Sequence, residues 1–287
     1  MKKRHKAIKY LILAGLFIVC AGLFSIGQNN SIVVTPSDFV SEKIPDAFDG
    51  FRIVQISDLH NKLFGEDQEN LLEKVRSEAP DIILITGDLI DRRKYDLQKA
   101  MVFIRGAVNI APVYYVSGNH EAWSGHYETI KNSLLAAGVS VLDNSEIELK
   151  LGEDSIHLLG LADPDFLTTR YSEGTDASLL KEILKEWSIN DTEKFNILLS
   201  HRPELFDVYF DANIDLVFSG HAHGGQIRLP FIGALIAPDQ GFFPKYTSGR
   251  YTESKTTMFV SRGLGNSIVP QRLFNRPEII AVTLRSK

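Results

Sequence analysis

Beyond residue 50 the chain alternates between short apolar runs and stretches of helical spacing. Residues 51–57 (FRIVQIS), 81–86 (DIILIT) and 113–116 (VYYV, directly after Pro112) are rich in β-branched and aromatic side chains, which predicts strands. Residues 68–78, 97–108 and 127–137 carry apolar positions three and four apart, which predicts helices, and 139–142 reads as another strand. The second half repeats the theme: strand 155–161, helix 177–187, strand 195–199, helix 203–210 and strand 215–218, with 257–261 and 279–284 as closing strands. Strands alternating with helices predict an α/β architecture with both sheet faces covered. No internal repeat, low-complexity tract or second linker interrupts residues 50–287, so one soluble domain is expected there.

The N-terminus follows a different pattern. Residues 10–27 (YLILAGLFIVCAGLFSIG) carry no charge. As a helix they would span roughly 27 Å, close to a bilayer core of about 30 Å. Lys2, Lys3, Arg4, Lys6 and Lys9 precede this run, and no acidic residue occurs before Asp38. The positive-inside rule then puts the N-terminus in the cytoplasm and the rest of the chain outside, as a single-pass membrane protein. A signal peptide cleaved on export is the competing reading, but no Ala-x-Ala site follows, and the residues before Cys20 make a poor lipoprotein signal. The expected organisation is residues 1–27 as cationic flank and anchor, 28–49 as linker and lead-in with a polar stretch at 28–37, and 50–287 as the domain.

Composition sharpens this picture at two points. The 287 residues hold 31 Lys+Arg against 36 Asp+Glu, and setting aside the five N-terminal cations leaves 26 against 36, a net of −10. A domain that acidic lacks the cationic track a nucleic acid requires, so no nucleic-acid partner is expected. The single cysteine excludes an internal disulfide. Oligomeric state is left open.

Polar residues cluster where the strands end. Asp58 and His60 follow the first strand, Gly87, Asp88 and Asp91 the second, and Gly118, Asn119, His120 and Glu121 the third. His201 follows the strand ending at Leu199, and Gly220, His221 and His223 follow the strand ending at Phe218. Ligands of α/β sheets bind beyond the carboxyl ends of strands, so five loops aim Asp, His and Asn at one place. Imidazole and carboxylate without thiolate suit a divalent metal of intermediate softness rather than a structural zinc site. Seven candidate ligands are too many for one ion and suit two ions that share a bridge.

Taken in order, Asp58-x-His60, Gly87-Asp88-x-x-Asp91, Gly118-Asn119-His120-Glu121, His201 and Gly220-His221-x-His223 resemble the calcineurin-like metallophosphoesterases. Gly224-Gly225-Gln226, Ser261-Arg262-Gly263-Leu264-Gly265 and Arg276-Pro277-Glu278 resemble a bacterial membrane-associated branch, some members of which hydrolyse a UDP-linked diacylglucosamine. The resemblance covers residues 50–287. It implies two mixed β-sheets sandwiched by helices, here preceded by the N-terminal transmembrane helix. It also implies two divalent ions, with manganese favoured and zinc, iron or magnesium as alternatives. By resemblance Asp58, His60 and His223 hold one metal, Asn119, His201 and His221 hold the other, Asp88 bridges them, and His120 lies near the scissile phosphate as general acid or phosphate stabiliser.

The chemistry follows from such a centre. Two dications with Asp58, Asp88 and a bridging hydroxide leave a net of +1, which attracts a phosphodiester anion inside an acidic domain. Metal binding lowers the pKa of water from 15.7 to about 7, worth on the order of 12 kcal/mol in hydroxide formation at neutral pH. In-line attack by that hydroxide on a phosphodiester or pyrophosphate is the expected reaction, with a lipid-linked substrate fitting the anchor. A phosphomonoesterase acting on phosphoprotein, and a non-catalytic metal-dependent envelope module, are the alternatives.

Other residues carry two readings each. Asp91 either orients a ligand histidine or caps a helix. Arg92 either binds phosphate or is one of a solvated pair with Arg93, while Trp123 either stacks on a base or sugar or packs. The run Gly-Asp-Leu-Ile-Asp-Arg-Arg partly resembles that of Ser/Thr protein phosphatases, but Arg93 replaces their glycine and Ser117 their arginine. The apolar run 231–237, with Phe242 and Phe243, either receives an acyl chain or packs in the core, the plainer reading. Glu121 is expected to be structural, and His126 and His157 are expected to be ordinary surface or core histidines.

Overall fold

The computed structural model describes residues 2–166, 177–187, 194–225, 227–229, 233–266 and 270–287. In chain order the elements are α1 (Lys2–Asn30), β1 (Val33–Ser41), β2 (Arg52–Ile56), α2 (Glu69–Ser77), β3 (Ile82–Thr86), α3 (Leu97–Ala107), β4 (Val113–Val116), α4 (Asn119–Ala122), α5 (Tyr127–Ala136), β5 (Ser140–Val141), β6 (Ser145–Leu151) and β7 (Asp154–Gly160). They continue with α6 (Ser178–Glu186), β8 (Asn196–Leu199), α7 (Phe206–Asp211), β9 (Leu216–Ser219), β10 (Ile227–Leu229), β11 (Gly233–Ala237), β12 (Gly241–Phe242), β13 (Gly249–Glu253), β14 (Thr256–Val260) and β15 (Glu278–Ser286).

Two six-stranded mixed sheets form the core, in the orders β1-β15-β2-β3-β4-β5 and β13-β14-β9-β8-β7-β6, with a small sheet β10-β11-β12 beside them. Strands β2 to β5 run parallel in the first sheet and β7, β8, β9 and β14 in the second. Side chains alternate along a strand, and that alternation makes the layers. Ile82 and Leu84 of β3, Ile197 and Leu199 of β8, and Leu216 and Phe218 of β9 fill a core between the two sheets. The opposite set on β3, Ile83 and Ile85, packs on α2, α3 and α5. Leu198 and Val217 pack on α6 and α7. Strands buried on both faces read as continuous apolar runs, which is why these were visible in sequence. The helices cover the outer faces by the same logic: α3 buries Leu97, Ala100, Met101, Ile104 and Ala107, and Asp96 caps it through Lys99 N–H (3.3 Å).

Residues 28–49 depart from the expected linker. Gln28–Asn30 continues α1, and after Ser31 and the buried Ile32 the chain enters β1, which pairs parallel with β15 from Val33 to Ser41. Pro36 is accommodated because β1 is an edge strand, where a missing donor costs little. Strand β6, strand β13 and the small sheet were also not predicted.

Helix α1 is long and apolar enough to cross a membrane, and its apolar window is not buried against the rest of the chain. Among the described residues, contacts to the domain come from its last turns. Ser25 Oγ donates to Gln271 Oε1 (2.7 Å), Arg272 N–H donates to Asn29 Oδ1 (2.8 Å), and the Phe24 and Phe274 rings lie 5.7 Å apart.

Candidate metal centre

The carboxyl ends of β2, β3 and β4 in one sheet meet those of β8 and β9 in the other. Buried Gln55 of β2 ties them together, donating to Ser219 O (2.9 Å) and Thr86 Oγ1 (2.8 Å). Immediately beyond these ends the backbone is unusual. Asp58, His60, Asp88, His221 and His223 have φ of 51°, 48°, 52°, 63° and 48°. Non-glycine residues seldom occupy this left-handed region, and its occupation clusters at functional sites. The loops also approach one another closely. A Cβ on Gly118 would collide with the Asp88 carboxylate, and one on Gly220 with Ser57 and Asp58, so both positions require glycine.

These turns bring the seven ligand candidates together, all buried. Asp58, His60, Asp88 and His223 each offer an atom within 4.8 Å of the others, and Asp88, His201 and His221 form a second such set. Asp88 belongs to both. In the first set His60 Nε2 lies 3.0 Å from His223 Nε2 and 3.6 Å from Asp88 Oδ2, and His223 Nε2 lies 3.3 Å from Asp58 Oδ1. In the second, His201 Nε2 lies 3.4 Å from Asp88 Oδ2, 3.1 Å from Asn119 Oδ1 and 3.2 Å from His221 Nδ1.

Proton positions show what this arrangement lacks. His201 Nδ1–H donates to Thr86 O (2.7 Å), so Nε2 faces two oxygens that are themselves acceptors, and only a proton or a metal ion on Nε2 can bridge them. His221 Nε2–H donates to Asp239 Oδ2 (2.8 Å), turning the Nδ1 lone pair inward. Lone pairs converging in a dry pocket require a cation between them. Burial pushes His60 down to about 3 and His223 well below its ordinary value, so both rings are neutral donors. Burial pushes Asp58 up to about 6. At His201 burial opposes protonation, but Asp88 and Asp58 overcome it and drive the ring up to about 10. The pocket therefore demands positive charge, and its N/O donors fit a pair of divalent ions sharing Asp88.

His120 stands beside this cluster, its ring 4.4 Å from that of His60. Its Nδ1 accepts Arg92 N–H (3.2 Å), so the neutral ring carries its proton on Nε2. Burial lowers its pKa despite Asp88 and Asp91, which keeps it neutral at pH 7. Asp91 mainly caps the turn after it, accepting Arg93 N–H (2.8 Å) and pairing with the Arg93 guanidinium (3.1 Å), while its Oδ1 lies 3.6 Å from His120 Nδ1. The Arg92 guanidinium lies 4.7 Å over the Trp123 ring. Both line a cleft of about 460 Å³ in front of Asn119, His120 and His221. Phe242 and Phe243 are not among its lining residues, and at 79% and 73% exposure they are not core either. Phe231, Ile232 and Gln226 lie outside the described residues.

Three further residues escaped the sequence reading. Arg202 is fully buried and forms a bidentate pair with Asp163 (2.7 and 2.9 Å), with its NH1 3.1 Å from His221 Nε2. Asp239 accepts from both Arg202 and His221. The only signal in sequence was the position of Arg202 next to His201. Glu121 is structural: Oε2 accepts Asp88 N–H (2.9 Å) and Gly118 N–H (2.8 Å), and Oε1 accepts Ile90 N–H (3.1 Å). His126 stacks on Tyr95 (4.4 Å), and His157 lies 3.1 Å from Lys194 Nζ.

Comparison with known proteins gives consistent matches. The profile described as calcineurin-like phosphoesterase matches residues 51–225. The chain is 34% identical to the uncharacterized metallophosphoesterase YkuE of Bacillus subtilis (strain 168), over 90% of this chain and 87% of that one. It is 30% identical to the transmembrane protein with metallophosphoesterase domain of Danio rerio, over 98% of this chain and 63% of the relative. Among solved structures, a dimetal phosphatase from Danio rerio aligns over 75% of this chain and 88% of its own, with 14% identity and a TM-score of 0.49.

Proposed function

The chain belongs to the calcineurin-like phosphoesterase family, and we propose that it hydrolyses phosphodiester or pyrophosphate bonds with Asp58, His60, His223 and Asp88 around one divalent ion and Asp88, Asn119, His201 and His221 around a second. It is a metal-dependent phosphoesterase; the finer reading rests on the two donor sets that share Asp88. Bound there, the ions would activate water and neutralise phosphate oxygens. Manganese suits a donor set of imidazole, carboxylate and amide oxygen.

The chain's own residues supply the rest. His120, with Nδ1 occupied by Arg92 N–H, presents Nε2–H toward the cleft and donates a hydrogen bond or proton to the leaving oxygen. Arg92, stacked on Trp123, adds a cation at the cleft wall for a phosphate oxygen. Asp239, Asp163 and Arg202 hold His221 in orientation. Arg92 and Arg93 are the cations that line the cleft, which suits a monoanionic diester. The helix α1 supports a membrane anchor with the domain outside the cytoplasm, and a lipid-linked substrate fits that placement.

The test uses the full chain in detergent, stripped of metal and reloaded with Mn²⁺. Cleavage of bis(p-nitrophenyl) phosphate is compared with that of p-nitrophenyl phosphate, with EDTA and Asp88→Asn as controls. Metal-dependent diester cleavage well above monoester cleavage is the expected result. Monoester preference overturns the diester assignment, and silence on both with two ions bound overturns catalysis on simple esters.

A further inference from the structure

A second cavity lies near the metal centre and abuts the end of α1. A cavity of about 520 Å³ lies on the His60 and Asp91 side, walled by Lys62, Arg93, Lys94 and Pro270. Arg93 and Lys94 face one carboxylate there, joined by Lys62, whose pKa is pushed down to about 7 by burial and by Arg272, within a domain whose formal charge is otherwise strongly negative. Arg93 is paired with Asp91, whereas Lys94 is exposed and makes no ion pair among the described residues. The same wall is bonded to the helix: Pro270 O accepts Asn29 Nδ2–H (3.4 Å), and Lys62 Nζ donates to Asn29 O.

The loop that forms this wall then turns back along α1. Its Leu273 and Phe274 are 43% and 52% exposed, and Phe274 meets Phe24. Phe24 lies six residues before Asn30, or about 9 Å along the axis, and within the charge-free run. A loop that follows a spanning helix that far back reaches the acyl-chain boundary.

We propose that this cavity receives the phosphate-bearing headgroup of an anionic lipid from the bilayer spanned by α1, with Lys62 and Lys94 pairing its charge and Leu273 and Phe274 seated among the acyl chains. The assignment rests on the anchored phosphoesterase reading above and names its substrate class. Continuity with α1 and charge complementarity identify the occupant. Lys side chains near an anionic surface are attracted to it. The volume suits a headgroup, and its charged lining disfavours acyl chains, which stay in the membrane.

The test keeps the full chain. A nitroxide is placed at Phe274→Cys in a Cys20→Ser background, and the protein is reconstituted in vesicles of phosphatidylglycerol and phosphatidylcholine. The label should relax with oxygen and be shielded from a water-soluble nickel chelate, while a label at the exposed Leu135→Cys shows the reverse. Equal nickel access at both positions overturns the seating of the loop. A chain that washes off the vesicles overturns the anchor itself, which is a separate failure. Native mass spectrometry of the full chain with titrated lipid reads the headgroup site. Phosphatidylglycerol should bind about tenfold tighter than phosphatidylcholine, and Lys94→Glu, a surface change, should erase the preference. Equal binding of the two lipids, retention in the variant, or displacement by glycerol phosphate as readily as by lipid overturns the proposal.

Discussion

Asp163 and Arg202 form a buried bidentate ion pair directly behind His221. The guanidinium donates through Nε and NH2 to Asp163 at 2.7 and 2.9 Å, and its NH1 lies 3.1 Å from His221 Nε2. Asp165, Asp239 and Glu204 also face the same guanidinium. Negative charge converging on one arginine holds it rigidly, and through Asp239 that lattice fixes which nitrogen of His221 faces the metal centre.

Asp163→Asn should therefore be costly. The variant loses one charged acceptor of the bidentate pair while Asp165 and Asp239 still face the guanidinium, a loss of about 1.5–3 kcal/mol. Urea unfolding of the detergent-solubilised chain measures it. Metal content per chain should fall in the same variant, because His221 loses its orientation.

Asp88→Asn should lower turnover on the diester by roughly 10³-fold or more, since one side chain serves both donor sets. Metal linkage gives a second readout. At an ion concentration 100 times Kd, binding adds about 2.7 kcal/mol of stability. A chelator should thus lower the Tm of the native chain markedly and that of the variant much less.

His120→Gln should reduce kcat by about 10²–10⁴-fold on a poor leaving group and much less on p-nitrophenolate, with both ions retained. The discrimination follows from the proton that Arg92 N–H, bound at Nδ1, leaves on Nε2 of this cleft-lining ring. A leaving-group series checks it; a loss that is equal across the series assigns His120 to phosphate binding instead.

What could be read in the sequence follows from burial. Strands β3, β8 and β9 are buried on both faces, so their apolar character survives in the string as unbroken runs. Strand β1 lies at an edge, is half exposed and contains Pro36 and Asp38, so it reads as polar linker; only its pairing with β15 makes it a strand. Strand β6 alternates Glu146, Glu148 and Lys150 with half-buried Ile147 and Leu149, a pattern weakened by the solvated face. The polar candidates after strand ends were visible because their residue types are rare together. Arg202 was not, because Asp163 and Asp239 are 39 and 37 residues away and only the fold brings them to it.

Asp215 offers a pH test away from the metal centre. Burial raises its pKa, only partly offset by Lys43 (2.9 Å) and Asn196 N–H (3.0 Å). The folded state therefore binds this proton more tightly than the unfolded chain, and the group's contribution to stability is lost as pH rises through its folded pKa. Lys43→Met raises that pKa further. The gap between the variant and the native chain should close as pH falls below the folded pKa of the carboxyl, where it is protonated in both. It should fall behind by about 1–3 kcal/mol near pH 7, where the buried carboxylate lacks its cation. Urea titrations at the two pH values measure the difference.

Only Ser31 and Ile32 separate α1 from β1, and Ile32 is buried. With α1 in a bilayer there is no slack in this joint, so the cleft is carried at one height and the protein searches a plane rather than a volume. Its turnover on a lipid would then be governed by the mole fraction of that lipid in the surface. Diluting the bilayer with an inert lipid would slow the reaction even while the bulk concentration of substrate is held constant.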